Sequence, residues 1–196
     1  NFNSTFFSTK EMFKDGKHEV VFRVQRILEK QVGYFTPDSI TKANKPNSYY
    51  LGDPNRVFAR YRFQYNNAVS VAISGEKDAG EQLFKGTQKQ GFDFYSGHIA
   101  VKNIKFIRTL VIGDYQATFG QGLTIWQGFA FGKSASPMNV KRSAIGIKPY
   151  YSFDENRFFR GAAGTFKIKN FELSGLVSYK KIDANTTLAD TLANGE

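Results

Sequence analysis

The chain has 196 residues, with 27 Lys and Arg against 17 Asp and Glu, a net charge of +10, and no Cys. Without Cys there is no disulfide framework, no thiol nucleophile and no Cys-ligated zinc or iron–sulfur site; 41% hydrophobic against 22% charged residues argues against a disordered basic tail. Twenty Phe and ten Tyr against nine Leu favour strands over helices, and no apolar run approaches the ~20 residues of a membrane-spanning helix.

Period-two alternation begins where Val20, Phe22 and Val24 oppose Glu19, Val21, Arg23 and Gln25. After a long polar connection, 29–55, it returns over 56–65, where Val57, Ala59, Tyr61, Phe63 and Tyr65 oppose Arg56, Phe58, Arg60, Arg62 and Gln64. Successive strand side chains point to opposite faces, so one face is apolar and the other cationic or polar. Asn66-Asn67 then reads as a tight hairpin turn, because Asn tolerates the positive φ such turns need. Beyond it Val69, Val71, Ile73 and Gly75 oppose Ser70, Ala72, Ser74 and Glu76. The segments 94–101, 105–112, 115–125 and 143–151 alternate less cleanly. Ala162–Ile168 and Phe171–Tyr179 repeat the pattern about a Lys169-Asn170 turn, with Leu173 and Val177 on the apolar side and Lys167 and Lys180 on the polar side.

About nine strands result, several of the ~9–11 residues that cross a bilayer at a tilt. Short connections alternate with long ones near 29–55, 77–91 and 126–142, and Tyr and Phe gather at strand ends. Both suit an outer-membrane barrel with turns at one end, loops at the other and interfacial aromatic girdles. A soluble antiparallel sandwich or lipocalin-like barrel would alternate equally well. The 196 residues read as a single β-barrel region, and the polar stretch from 185 onward, with no closing strand, suggests an internal piece of a longer chain.

The most distinctive segment is 112–134. Its Gly132-Lys133-Ser134 does not make a phosphate-binding loop, because only three residues separate Gly128 and Gly132 where four are needed. Gly113, Gly120 and Gly122 read instead as places where a strand bulges or bends, either into a barrel constriction or as a simple corner. His18 and His98 lack metal-ligand spacing. No Gly-x-Ser-x-Gly elbow occurs, so nothing points to an enzyme, a catalytic residue, a cofactor or a metal.

The same segment, Gly113-Asp-Tyr-Gln-Ala-Thr-Phe-Gly-Gln-Gly-Leu123 with Gly128-Phe-Ala-Phe-Gly-Lys-Ser134, resembles the barrel region of Bacteroidota outer-membrane proteins labelled by an N-terminal helix-hairpin-helix domain. The likeness spans about 56–179. It implies an antiparallel up-and-down β-barrel in the bacterial outer membrane; nucleic-acid contact would belong to the helix-hairpin-helix part, which this chain lacks.

The expectation is therefore part of a transmembrane barrel, acting as a channel or as a subunit of a larger transport, export or uptake assembly. Its partners would be the lipid bilayer and lipopolysaccharide. Arg23, Arg60, Arg62, Gln64, Lys167 and Lys180 are the candidate lumen-lining residues; Val57, Tyr61, Phe63, Val69, Val71, Ile73, Phe171, Leu173, Val177 and Tyr179 are the candidate lipid-facing ones. The open alternative is a soluble β-rich module for acidic glycans or nucleic acid.

Overall fold

A computed structural model describes residues 9–44, 49–86, 88–128 and 141–181. Gly132-Lys133-Ser134, most of the 126–142 connection and the polar stretch from 185 lie outside the described residues. The described residues form one antiparallel sheet of eight strands: β1 (Lys17–Arg26), β2 (Asn55–Tyr65), β3 (Val69–Lys77), β4 (Phe94–Ile104), β5 (Ile107–Thr118), β6 (Gly146–Pro149), β7 (Phe159–Ile168) and β8 (Phe171–Ser178). Seven of them follow one another as a meander, β1-β2-β3-β4-β5-β7-β8, while β6 pairs β5 alone. The sheet is not closed: β1 and β8 each have one neighbour. The expected nine strands become eight because 105–112 and 115–125 form parts of a single β5, and 143–151 shrinks to the four-residue β6.

Turn chemistry sets the register. Asn66 and Asn67 sit at φ 41° and 51°, and the β2–β3 ladder runs unbroken from Tyr65↔Val69 to Val57↔Lys77. Lys169 at φ 55° does the same between β7 and β8. These short turns gather at one end. The connections of β1 to β2, β3 to β4 and β5 to β7 lie at the other. They include a 3₁₀ turn (Val32–Tyr34) and the short helix α2 (Ser39–Asn44).

Gly113 marks where the sheet divides. Its φ is +103°, and a Cβ there would lie 2.3 Å from the Gly97 carbonyl oxygen, so only glycine fits. The β4–β5 ladder stops at His98↔Gly113; beyond it, Tyr115–Thr118 pairs with β6 instead. The Gly97 N–H, left without a strand partner on β5, donates to Asp114 Oδ2 at 3.1 Å. Arg160 holds the same carboxylate in a fork, with Nε at 2.7 Å from Oδ1 and Nη2 at 3.0 Å from Oδ2. Asp114, 1% exposed, thereby joins β4 to β7 across the gap.

A helix that the alternation does not reveal, α1 (Thr9–Asp15), precedes β1. Glu11 in its first turn and Lys14 in its last complement the helix dipole. It rests on the end of β2, with Phe13 stacked on Phe63 at 5.4 Å. His18 fastens it, its Nε2 donating to the Phe13 carbonyl at 3.2 Å while its Nδ1 accepts from Tyr61 at 2.8 Å.

Candidate functional site

The register sorts the side chains into two faces. Val20, Tyr61, Ile73 and Gly97 lie on one; Ile99, Ile112, Ala162 and Val177 continue it towards β8. This apolar face is open. Val20 is 77% exposed, Ile73 58%, Ile99 56%, Ile112 57% and Val177 73%. Phe171, Leu173 and Tyr179 are likewise exposed, while Val57, Tyr61, Val69 and Val71 are half-buried. Phe63 differs: α1 covers it, leaving it 3% exposed.

The opposite face is polar; Arg23 on β1 and Glu172, Ser174 and Ser178 on β8 are exposed, while its middle strands are covered. Ser74, Glu76, Ser96, His98 and Thr165 are buried there, beside Ala72, Ala100, Val111 and Ala163. The cover is residues 146–158, which leave β5 at Gly113's far side and cross the polar face. The Tyr151 ring lies 5.6 Å from the Arg60 guanidinium and 5.3 Å from that of Arg62. Arg62 Nη1 also donates to the Tyr151 hydroxyl at 3.2 Å. Phe153 packs edge-on against Phe58 at 4.2 Å, and Arg23 lies 5.2 Å from its ring. The Tyr150 carbonyl accepts from His98 Nδ1 at 2.9 Å.

Arg60 and Arg62 share one acid: Glu19 on β1 accepts from both, at 2.9 Å and 2.5 Å. Two cations on one carboxylate leave the patch positive. The Arg60 Nε is buried with no partner among the described residues, so the patch has a spare donor.

Of the other sequence-derived polar candidates, Gln64 lines a cavity beside Tyr151. Lys167 sits opposite Glu172 at the short-turn end, where Glu172 is paired to Arg108. Lys180 lies just past β8, its ammonium 3.7 Å from the Phe158 ring and bonded to the Glu155 carbonyl. The structure thus groups Arg23, Arg60, Arg62 and Gln64 and places Lys167 and Lys180 elsewhere.

Two arrangements escape the sequence. Ser70 Oγ lies 3.0 Å from His98 Nε2; because Nδ1 donates to Tyr150, Nε2 accepts the serine proton. At the long-loop end, Lys77 is 0% exposed and bonds the carbonyls of Asn55 (2.7 Å), Asp78 (3.2 Å) and Asp53 (3.5 Å), with the Asp53 carboxylate at 3.3 Å. Burial pushes the Asp53 carboxyl up, but the Asn55 N–H and the Lys77 ammonium outweigh it and hold it below the ordinary range. The clamp docks the β1–β2 loop on the β3–β4 loop, where the Gly52 N–H donates to the Gly80 carbonyl at 2.8 Å. In that loop Glu81 is pushed up to about 7, by burial first and then by the Asp93 and Asp78 carboxyls.

Among the described residues no three His, Asp or Glu converge as metal ligands, and no helix is long and apolar enough to cross a membrane. No protein-family model, curated protein or solved structure matches the chain.

Proposed function

We propose that this chain forms part of the wall of an outer-membrane β-barrel, its apolar face towards lipid and its polar face lining an interior narrowed by residues 146–158. In this reading it acts as a channel or as a membrane subunit of a larger transport, export or uptake assembly. One observation supports it above the others: the sheet is inside-out. In a soluble sandwich or lipocalin-like barrel, Val20, Ile73, Ile99, Ile112, Leu173 and Val177 would form the core and the serines, His98 and the arginines would meet water. Here the apolar set is exposed, while Ser74, Ser96 and His98 are buried and Arg60 and Arg62 half-buried.

The open edges fit a larger ring. Seven antiparallel strands make β1 and β8 run in the same direction, so all-antiparallel closure takes an odd number of further strands. An unpaired edge is not tolerated in hydrocarbon, since each bare N–H or C=O costs several kcal/mol. Arg23, Arg60 and Arg62 on the polar face favour anions. The resemblance of 112–134 to Bacteroidota barrel proteins points the same way.

The test is fractionation of cells making the full-length protein, followed by electrophoresis with and without boiling. Outer-membrane recovery with a heat-dependent shift in mobility is expected. Recovery in the soluble fraction with no shift would favour the binding-module reading.

A further inference from the structure

Near the short-turn end, residues 148–151 stand off from the polar face and leave a cavity of ≈ 290 Å³. Its walls include Gln64 and Asn67 from the β2–β3 hairpin, Ser70 on β3, Lys102 on β4, and Lys148 and Tyr151 from the crossing segment. Its chemistry is one-sided. No acidic side chain lines it, and neither Lys102 nor Lys148 has an ion-pair partner among the described residues. Two cations that line one cavity without a counter-charge repel one another, and an anion held there removes that repulsion.

The neutral groups fit the same occupant. The Tyr151 hydroxyl accepts from Arg62, which leaves its own proton to donate. The amides of Gln64 and Asn67 have N–H groups to offer. Ser70 gives its proton to His98, and that bond fixes the wall without adding a donor. The cavity is therefore lined by two cationic side chains and up to three neutral donors, beside the apolar Ala68, Val69 and Pro149.

We propose that this cavity is a binding site for a small free oxyanion, a phosphate or carboxylate group, held between Lys102 and Lys148. This goes beyond the barrel reading and does not depend on it, since the cavity is formed by the covered face wherever the protein resides. The polar face carries it, on the side away from the exposed apolar surface, so a soluble anion rather than a lipid headgroup is the expected occupant.

The test is calorimetric titration of the purified full-length protein, at constant ionic strength, with inorganic phosphate, acetate, glucose 6-phosphate and short-chain phosphatidylglycerol. Saturable binding of one or more of the three soluble anions is expected, weakened roughly tenfold or more by Lys102→Gln with Lys148→Gln, as for loss of charge-assisted hydrogen bonds. The charge-matched control, Lys10→Gln with Lys85→Gln, should leave it unchanged. Lys102→Arg with Lys148→Arg keeps both charges and should retain most of the binding, which separates loss of the site from loss of folding. No saturable binding, equal loss in the control, or binding of the lipid alone would overturn the assignment. The outcome is read apart from fractionation: a soluble protein that binds phosphate would sink the barrel and keep the site.

Discussion

The two faces of this sheet treat their side chains in opposite ways. From Val20–Val24 on β1 to Phe171–Val177 on β8, the apolar face is interrupted within its strands by Asp114 and its partner Arg160, and much of the rest is open. The other face holds Glu19, Arg60, Arg62 and His98 in hydrogen bonds beneath Tyr151 and its neighbours. An exposed apolar surface of this extent needs a cover, while the polar face already has one in residues 146–158. The contrast teaches that alternation alone names two faces but not which of them is dry.

The largest effect that separates the faces should come from Ile73→Arg. If lipid lies against Ile73, a cation near the midplane costs about 2–4 kcal/mol, read by urea unfolding in vesicles. At a water-exposed position the change would stay within about 0.5 kcal/mol. Gly113→Val comes next. Its Cβ meets the Gly97 carbonyl at 2.3 Å and φ is +103°, so a loss of about 1–3 kcal/mol is expected in the same assay.

The polar face can be inverted with its ion pairs kept: Glu19→Arg with Arg60→Glu and Arg62→Glu should fold and shift selectivity towards cations in planar bilayers. Unchanged selectivity would remove these residues from any conduction path. The double change Arg60→Glu with Arg62→Glu alone sets three carboxylates together and should fold less well.

The smallest effect concerns the docked loops. Folded Glu81 holds its proton up to about 7, above the ordinary 4.5. Between those values the docked state binds more protons than the undocked one, so docking is strongest below the lower value and weakens as pH rises through about 7. Protection of the Gly52 and Gly80 amides from hydrogen exchange should fall from pH 5 to pH 8, and Glu81→Gln should flatten that change.

The strands were the legible part. Alternation located β2, β3, β7 and β8, and Asn66-Asn67 announced its turn because positive φ is a local demand. Gly113 also gave a signal, since a strand that must leave its neighbour needs a residue without Cβ. The rest depends on contacts far apart in sequence. Arg62 and Tyr151 are 89 residues apart, and Ser70 and His98 are 28 apart. The Lys77 clamp draws on carbonyl groups, which every residue has, so composition cannot reveal it. Neither could alternation foresee that a seven-residue helix would cover Phe63.

The most direct test of the central claim is nitroxide scanning of the full-length protein in lipid bilayers, one cysteine at a time at 71–74 and 173–177. Period-two accessibility is expected, with oxygen dissolved in lipid reaching positions 73, 173 and 177 while a water-soluble nickel chelate does not. Nickel accessibility at those positions equal to that at an exposed loop residue such as Lys85 would contradict it.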